Sequence, residues 1–244
     1  MFTLKRTIGD HRILAYAPDQ HPFRAYFENL YGTSDLETLH TTSAEYAQFI
    51  SGDISDISDY ETDLHKKFYR DIKTNPHFKS LYCTLIKAIH TQFFPDQEFI
   101  IFQSFPSVRF QYPHSTAVPP HYDSDDIGKH PLGEKNFLLP ITDMYGTKSI
   151  FIETEPGKKD FMGVDMSCGD LFYFNGNKCT HYNQSNTEGS LRVSLDFRIM
   201  RPTDYKHYLM SGSITTTNPR DPDRKRIPTK MIVGEYYQMT HRED

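Results

Sequence analysis

The length, composition and charge of the chain limit the classes of protein to which it can belong. With 244 residues, of which 37% are hydrophobic and 24% charged, it has a globular composition and is long enough for one substantial core. Its net charge of -5 at pH 7 gives no overall attraction to nucleic acid or to an anionic membrane. We therefore expect neither as a partner.

The cysteines and the apolar runs indicate the compartment. Cys83, Cys168 and Cys179 are too few and too irregularly spaced for a disulfide framework. The N-terminus lacks the apolar stretch of a signal peptide, and no run approaches the roughly 20 apolar residues of a membrane span. We expect a cytoplasmic protein with reduced thiols. Its oligomeric state is left open.

The first hundred residues show mainly helical spacing of their apolar side chains. Leu81, Leu85 and Ile89, for example, recur at helical intervals. Asn75-Pro76 is expected to divide the second half of this stretch into two helices, because the residue before a proline disfavours the helical conformation. We predict a mainly helical N-terminal part over residues 1–97.

From residue 98 the sequence changes to short runs rich in β-branched and aromatic residues. Six such runs follow one another: FIIFQSF, SVRFQY, NFLLPIT, SIFIET, DLFYFNG and LRVSLDFRIM. Strands at this spacing, without helices between them, are typical of a sandwich or barrel. We predict a single domain over 1–244, with the β core at 98–200, a C-terminal extension at 201–244, and a solvated loop within it at 219–226.

His121 and Asp123 stand one residue apart in the segment PPHYDSDD. On an extended strand, residues i and i+2 point to the same side, so an imidazole and a carboxylate can converge on one ion. Such pairs also arise by chance in a chain with 12 histidines and 32 acidic residues. The pair therefore needs a further ligand to be meaningful.

His181 supplies that ligand, shortly after the glycine turn that ends the run DLFYFNG. Two histidines and one carboxylate form the facial triad typical of non-haem iron(II) sites, which leaves coordination positions open. Cys179 raises the alternative of structural zinc, but such a site needs four closed ligands and no partner cysteine is near. We interpret Cys179 as a packed thiol.

The run LRVSLDFRIM alternates polar and apolar residues most clearly. Arg192, Ser194, Asp196 and Arg198 share one face of this strand. An arginine with a serine two positions later can bind a carboxylate through paired N–H donors and a hydroxyl. That arrangement suits the distal carboxylate of 2-oxoglutarate. The alternative is a solvated face on which Asp196 merely pairs with Arg198.

In this order, the motifs resemble the Fe(II)- and 2-oxoglutarate-dependent dioxygenase superfamily, and most closely its StrG-type branch, named for streptomycin biosynthesis. The resemblance covers about residues 105–200. Besides the residues above, it rests on Glu134, Asn136-Phe137, Pro140, Thr142, Glu153 to Gly157, Asp160-Phe161, Gly169-Asp170, Phe174, Gly176-Asn177, Asn186-Thr187 and Phe197.

The resemblance implies a mainly β fold with flanking helices and a double-stranded β-helix core, which is a jelly-roll or cupin-like architecture. It implies that Fe(II), as the catalytic metal, is held by His121, Asp123 and His181. It implies that the cosubstrate 2-oxoglutarate is bound by Arg192, Ser194 and Asn136. Oxygen would be the second cosubstrate, and ascorbate a reductant in vitro. Thr142 is expected in the pocket as well, unless it and Asn136 only tie down a turn.

On this resemblance we expect an enzyme that hydroxylates or otherwise oxidises a C–H bond of a polar small molecule, such as a sugar, aminocyclitol or natural-product intermediate. Asp125, Asp126 and Glu134 would bind its amino groups, or are solvated loop charges. Arg109 would contact a carboxylate inside the barrel, or form a surface salt bridge. Two rival hypotheses stay open: a protein or peptide hydroxylase, and a non-catalytic jelly-roll module that keeps a metal for structure.

Overall fold

The computed structural model describes residues 1–57, 62–126, 128–217 and 228–242. The loop predicted at 219–226 lies outside these ranges. Within them, no helix combines the length and the apolar character needed to cross a membrane.

Five α-helices, α1 to α5, occur in the described residues, and four of them precede the β core. They are Phe23–Tyr31, Ala44–Ser51, Asp63–Thr74, Pro76–Phe93 and Pro202–Met210. Short 3-10 segments lie at Leu36–Thr42 and Gly146–Lys148. As predicted, Asn75-Pro76 separates α3 from α4. The Asn75 side chain accepts the His77 N–H at 3.0 Å, and Pro76 begins α4 at a position where a missing N–H costs nothing.

Thirteen strands, β1 to β13, are described. They are Thr3–Ile8, His11–Ala15, Phe99–Gln103, Ser107–Gln111, Lys135–Pro140, Ile150–Ile152, Met162–Val164, Asp170–Phe174, His181–Tyr182, Arg192–Met200, Thr216–Thr217, Thr229–Lys230 and Tyr237–His241. The six runs predicted as strands form β3, β4, β5, β6, β8 and β10.

The first residues of the chain form a hairpin of β1 and β2, whereas the sequence predicts a mainly helical N-terminal part. β1 is the outer strand of the sheet, and only Ile8 is buried in it. Its sequence therefore lacks the alternation of polar and apolar residues that would predict a strand. β2 pairs with β8 and thereby extends the main sheet.

Two sheets face each other in the core. The main sheet has the order β1-β2-β8-β5-β10-β3-β13, with β4 also paired to β10, and the smaller sheet has the order β7-β6-β9. The segment at His121 joins the smaller sheet through a bridge to His181 on β9. Taking β4, the His121 segment, β5, the β6–β7 hairpin, β8, β9 and β10 in turn, the chain alternates between the two sheets. This is the strand arrangement of a jelly roll, so the predicted fold class is confirmed.

The apolar face of β10 packs toward the helices. Phe197 stacks on Phe137 of β5 and meets the ring of Tyr82 of α4 edge-on, each with ring centroids 5.5 Å apart. Full burial of a side chain of this size stabilises the fold by roughly 2 kcal/mol. Because side chains alternate along a strand, the polar residues of β10 face the other way, into the space between the two sheets.

Candidate active site

The structure brings the three predicted metal ligands together at one end of the smaller sheet. The His121 backbone N–H donates to the His181 carbonyl at 3.1 Å, and the reverse bond is 2.8 Å. Two residues further on, the Asp123 N–H donates to the Gly176 carbonyl at 2.9 Å, which ties the two ligand-bearing loops to each other. The candidate ligand atoms of all three side chains lie within 4.8 Å of one another.

Both imidazoles turn the same nitrogen toward this cluster. Nδ1 of His121 lies 2.9 Å from the Pro119 carbonyl, and Nδ1 of His181 lies 3.1 Å from the Cys179 carbonyl. A carbonyl only accepts, so each Nδ1 carries the proton and each Nε2 keeps its lone pair for a metal. The two Nε2 atoms are 3.5 and 4.0 Å from Asp123 Oδ1. Burial lowers the pKa of His181 to about 4, which keeps it in the neutral, metal-binding form.

The carboxylate of Asp123 is buried and held on one side only. Its Oδ2 accepts from Arg198 Nε at 2.8 Å and from Asn136 Nδ2 at 2.5 Å, while Oδ1 faces the imidazoles. Burial alone would raise the pKa of Asp123, but the Arg198 guanidinium and the neighbouring histidines together outweigh it and hold that pKa well below its usual range. The cluster therefore presents one anionic oxygen beside the two Nε2 nitrogens.

This donor set fits iron(II) with open coordination positions. Three protein ligands do not close a structural zinc site. The Cys179 thiol belongs instead to the apolar cluster between the sheets, where burial raises its pKa to about 12. A thiol that stays protonated is a poor metal ligand, so the interpretation of Cys179 as a packed thiol is confirmed.

The polar face of β10 is buried beside the cluster, so the alternative of a solvated face is wrong. Arg192 is 1% exposed and Ser194 is 0% exposed. The Arg192 guanidinium donates to the Lys148 carbonyl at 3.3 Å and to Asn183 Oδ1 at 3.4 Å. Ser194 Oγ has no hydrogen-bond partner among the described residues. Leaving a buried hydroxyl unpaired costs free energy, and a carboxylate bound beside Arg192 would satisfy it.

A narrow cavity connects these groups. Its lining includes His121, His181, Arg192, Arg109 and Asp196. Its volume is about 30 Å³, which is enough for ordered water but small for a dicarboxylate. Arg109 Nε donates to Asp196 Oδ2 at 2.5 Å. Arg109 thus reaches the barrel interior, and its salt bridge lies there rather than on the outer surface.

A larger hollow of about 590 Å³ lies elsewhere, with His130, Glu134 and residues of α5 in its wall. None of the three candidate metal ligands lines it. Volume alone does not mark a catalytic site, whereas converging candidate ligands beside a buried arginine and an unpaired serine hydroxyl are a stronger sign of one. We therefore place the candidate active site in the smaller cavity.

Two other predicted pocket residues have clear contacts. Asn136 donates through Nδ2 to Asp123, and its Oδ1 has no hydrogen-bond partner in the described part of the chain. Its observed contact is thus with a candidate metal ligand, and cosubstrate binding by Asn136 stays a prediction. Thr142 Oγ1 accepts from the Val193 N–H at 2.9 Å and donates to the Leu191 carbonyl at 3.4 Å. Thr142 ties down backbone, which was the alternative interpretation.

The acidic group next to the metal loop does not act as one cluster. Glu134 is 1% exposed and bonded to the Tyr237 hydroxyl and to His130 Nδ1, so it is not a solvated loop charge. Asp126 is exposed. Asp125 accepts from a backbone N–H of its own turn at 2.6 Å.

Several residues that shape the site are not among those the motifs predict. The Asn183 side chain accepts from the Arg192 guanidinium; it lies two residues after His181, just past the end of β9, and both side chains line the same cavity. The role of Arg198 could not be read from spacing, because its partner Asp123 is distant in sequence.

Glu153 ties its own loop, between β6 and β7, to the residue that precedes His181. Its carboxylate accepts backbone N–H bonds from Gly157 at 3.2 Å, Lys159 at 3.0 Å and Thr180 at 2.8 Å. Although burial would raise the pKa of Glu153, these bonds lower it below the usual value. Their stabilisation is therefore present above the ordinary glutamate pKa and is lost as the pH falls through the depressed one.

Replacing Glu153 with alanine should destabilise the protein by about 3 kcal/mol, because three backbone N–H groups lose their acceptor. Urea unfolding at neutral pH measures the change in the free energy of unfolding. The matched control is Glu155→Ala in the same loop, where an exposed ion pair with Lys158 is removed and a change within about 0.5 kcal/mol is expected. Equal effects in both variants would show that the three backbone bonds contribute nothing.

Comparison with known proteins adds one sequence relative. No protein-family model matches the chain. Over 194 residues the chain is 25% identical to the streptomycin biosynthesis protein StrG of Streptomyces griseus, and the match covers 79% of this chain and 86% of StrG. The chain resembles StrG. The resemblance to the StrG-type branch that the motifs predicted is confirmed, and the match to StrG extends beyond the β core on which those motifs lie.

Solved structures give a weaker likeness than StrG does. SnoN, a non-haem α-ketoglutarate-dependent epimerase from nogalamycin biosynthesis, is 13% identical with a TM-score of 0.46, covering 95% of this chain and 94% of its own. A prolyl-4-hydroxylase of Pseudomonas putida is 12% identical with a TM-score of 0.41, covering 79% of this chain and 89% of its own. Because these values are low, the fold assignment rests on the strand order described above.

Proposed function

We propose that this chain is an Fe(II)- and 2-oxoglutarate-dependent oxygenase. The observation that carries the proposal is the convergence of His121, Asp123 and His181 beside a buried Arg192 and the unpaired hydroxyl of Ser194. A metal kept only for structure has no use for a buried anion-binding pair next to it. This argues against the non-catalytic jelly-roll module.

One set of side chains would bind the metal and another would bind the cosubstrate. His121, Asp123 and His181 would hold Fe(II) on one face and leave the other positions open. Arg192 and Ser194 would bind the distal carboxylate of 2-oxoglutarate. When bound, the iron supplies oxygen activation, so that 2-oxoglutarate, O2 and a C–H bond give succinate, CO2 and a C–OH group. The buried surroundings exclude water and strengthen the charge-assisted bonds at Arg192.

For the substrate we propose a polar small molecule, such as a sugar, an aminocyclitol or a natural-product intermediate. The cavity wall next to the metal cluster carries the Arg109–Asp196 ion pair, which offers hydrogen-bond donors and acceptors to hydroxyl or amino groups. StrG, the sequence relative, is a streptomycin biosynthesis protein. Both observations favour such a molecule over a protein side chain. Cytoplasmic location and the use of ascorbate in vitro stay predictions.

Purified protein given Fe(II), ascorbate and 2-oxoglutarate in air should form succinate slowly even without its substrate, because the residues proposed to hold iron and 2-oxoglutarate do not depend on the substrate. Succinate is measured by liquid chromatography. Protein treated with a chelator and the His181→Ala variant serve as controls and should give only background. Absence of succinate from iron-loaded wild-type protein, both alone and with a panel of sugars and aminocyclitols, would favour the binding module.

A further inference from the structure

Arg198 lies at the meeting point of several buried acidic and amide groups. It is on β10, 7% exposed, and faces the space between the sheets. Its guanidinium has four oxygen neighbours, at 2.8, 3.3, 3.5 and 3.8 Å: Asp123 Oδ2, Gln103 Oε1, Asp196 Oδ1 and Glu134 Oε2. Of these contacts, the shortest is the one to the metal ligand Asp123.

The C-terminal extension helps to fix this arrangement. Tyr237 of β13 is 0% exposed, and its hydroxyl donates to Glu134. The other oxygen of Glu134 is 2.9 Å from His130 Nδ1. These bonds hold Glu134 against Arg198. The C-terminal extension is thereby linked to Asp123 through the side chains of Glu134 and Arg198.

The two oxygens of Asp123 differ in what they can still bind. A carboxylate oxygen has two lone pairs in its plane, and on Oδ2 they meet two donors, Arg198 Nε at 2.8 Å and Asn136 Nδ2 at 2.5 Å. The imidazole nitrogens lie on the side of Oδ1. Rotation of the carboxylate to offer both oxygens to a metal would break the charged bond to Arg198 inside the barrel.

We propose that Arg198 is a positioning residue that, together with Asn136, restricts Asp123 to binding the metal through one oxygen. This inference rests on the proposed function for the identity of the metal. In a six-coordinate site, two histidines and one carboxylate oxygen leave three positions, whereas a carboxylate bound through both oxygens leaves two. A 2-oxo acid that chelates through two atoms would then occupy both, and no position would be left for oxygen.

The experiment counts the water molecules on Mn(II) bound in place of Fe(II), by electron spin-echo spectroscopy in deuterated water. Wild-type protein should show three exchangeable waters. Arg198→Gln should retain Mn(II) but show two, and its affinity for 2-oxoglutarate should fall by about 10–100-fold. Arg198→Lys, which keeps a cation against Oδ2, should return the count toward three. Arg109→Gln is the matched control in the same cavity and should show three.

A count of three in Arg198→Gln, or a count of two in Arg109→Gln, would overturn the inference. If Arg198→Gln does not fold, as judged by its thermal melt, Asn136→Ala removes the second donor without a charge change. That variant should then show a mixture of two and three waters, and an unchanged count of three contradicts the inference. Failure of wild-type protein to bind Mn(II) at all would instead contradict the proposed function.

Discussion

Replacing His181 with alanine is expected to abolish metal binding at the cluster and, with it, all turnover of 2-oxoglutarate. The residue would supply one of the three candidate ligands found among the described residues, and it is 7% exposed, so water cannot readily take its place in a fixed geometry. Loss of an outer partner of a metal ligand costs roughly 10–100-fold in affinity, and loss of a ligand itself should exceed that range. Fe(II) affinity is measured by anaerobic titration calorimetry.

The control for this variant is His77→Ala, since His77 is an exposed histidine on α4, far from the cluster in sequence. It should leave Fe(II) affinity and succinate formation unchanged. If His181→Ala bound Fe(II) as tightly as wild-type protein does, the assignment of His181 as a ligand would be wrong, and a different site would have to hold the metal.

Replacing Arg192 with lysine should preserve metal binding and weaken 2-oxoglutarate binding on the order of a hundredfold. The paired N–H donors of arginine match a carboxylate, and lysine replaces them with a single ammonium. A charge-assisted bond of this kind contributes about 1.5–3 kcal/mol, and roughly 1.4 kcal/mol corresponds to a tenfold change in affinity. The measurement is a calorimetric titration of Mn(II)-loaded protein with 2-oxoglutarate.

Pyruvate provides a matched ligand for the same comparison. It carries the 2-oxo acid group that would chelate the metal but lacks the distal carboxylate that Arg192 would bind. We expect wild-type and Arg192→Lys proteins to bind pyruvate equally weakly. Equal loss of Mn(II) from the Arg192→Lys and His181→Ala variants, or unchanged affinity for 2-oxoglutarate, would contradict the division of roles between these two residues.

Much of the fold and of the metal cluster could be predicted from local sequence. Runs of β-branched and aromatic residues identify the strands of the core. In β10 the alternation of polar and apolar residues identifies the strand as well. The i, i+2 rule correctly placed His121 beside Asp123, and Arg192 on the same face as Ser194, because side-chain direction along a strand depends only on neighbouring positions. The order of the motifs then linked these pairs to His181.

What the sequence could not show depends on contacts between distant segments. The polar loop around Glu134 predicts a substrate or solvent contact, yet Glu134 is buried and bonded to Tyr237 from the far end of the chain. In the same way, the ion pair of Arg198 with Asp123 joins β10 to the metal loop. Charged residues reveal their partners only through the tertiary fold, whereas the apolar pattern reveals burial directly.

The hairpin of β1 and β2 illustrates the same limit for secondary structure. β2 becomes a strand because it pairs with β8, and β1 because it pairs with β2. Strand formation depends strongly on such context, and the outer position of β1 removes the apolar pattern that would otherwise identify it.

The most direct test adds 2-oxoglutarate to the Fe(II)-loaded protein under nitrogen and records the visible absorption spectrum. A 2-oxo acid that chelates iron(II) gives a charge-transfer band in this region. The band should appear and saturate in wild-type protein, be absent from His181→Ala, and require about a hundredfold more 2-oxoglutarate in Arg192→Lys. Wild-type protein that has bound one equivalent of iron and yet shows no such band at saturating 2-oxoglutarate would contradict the assignment of this cavity as the oxygenase site.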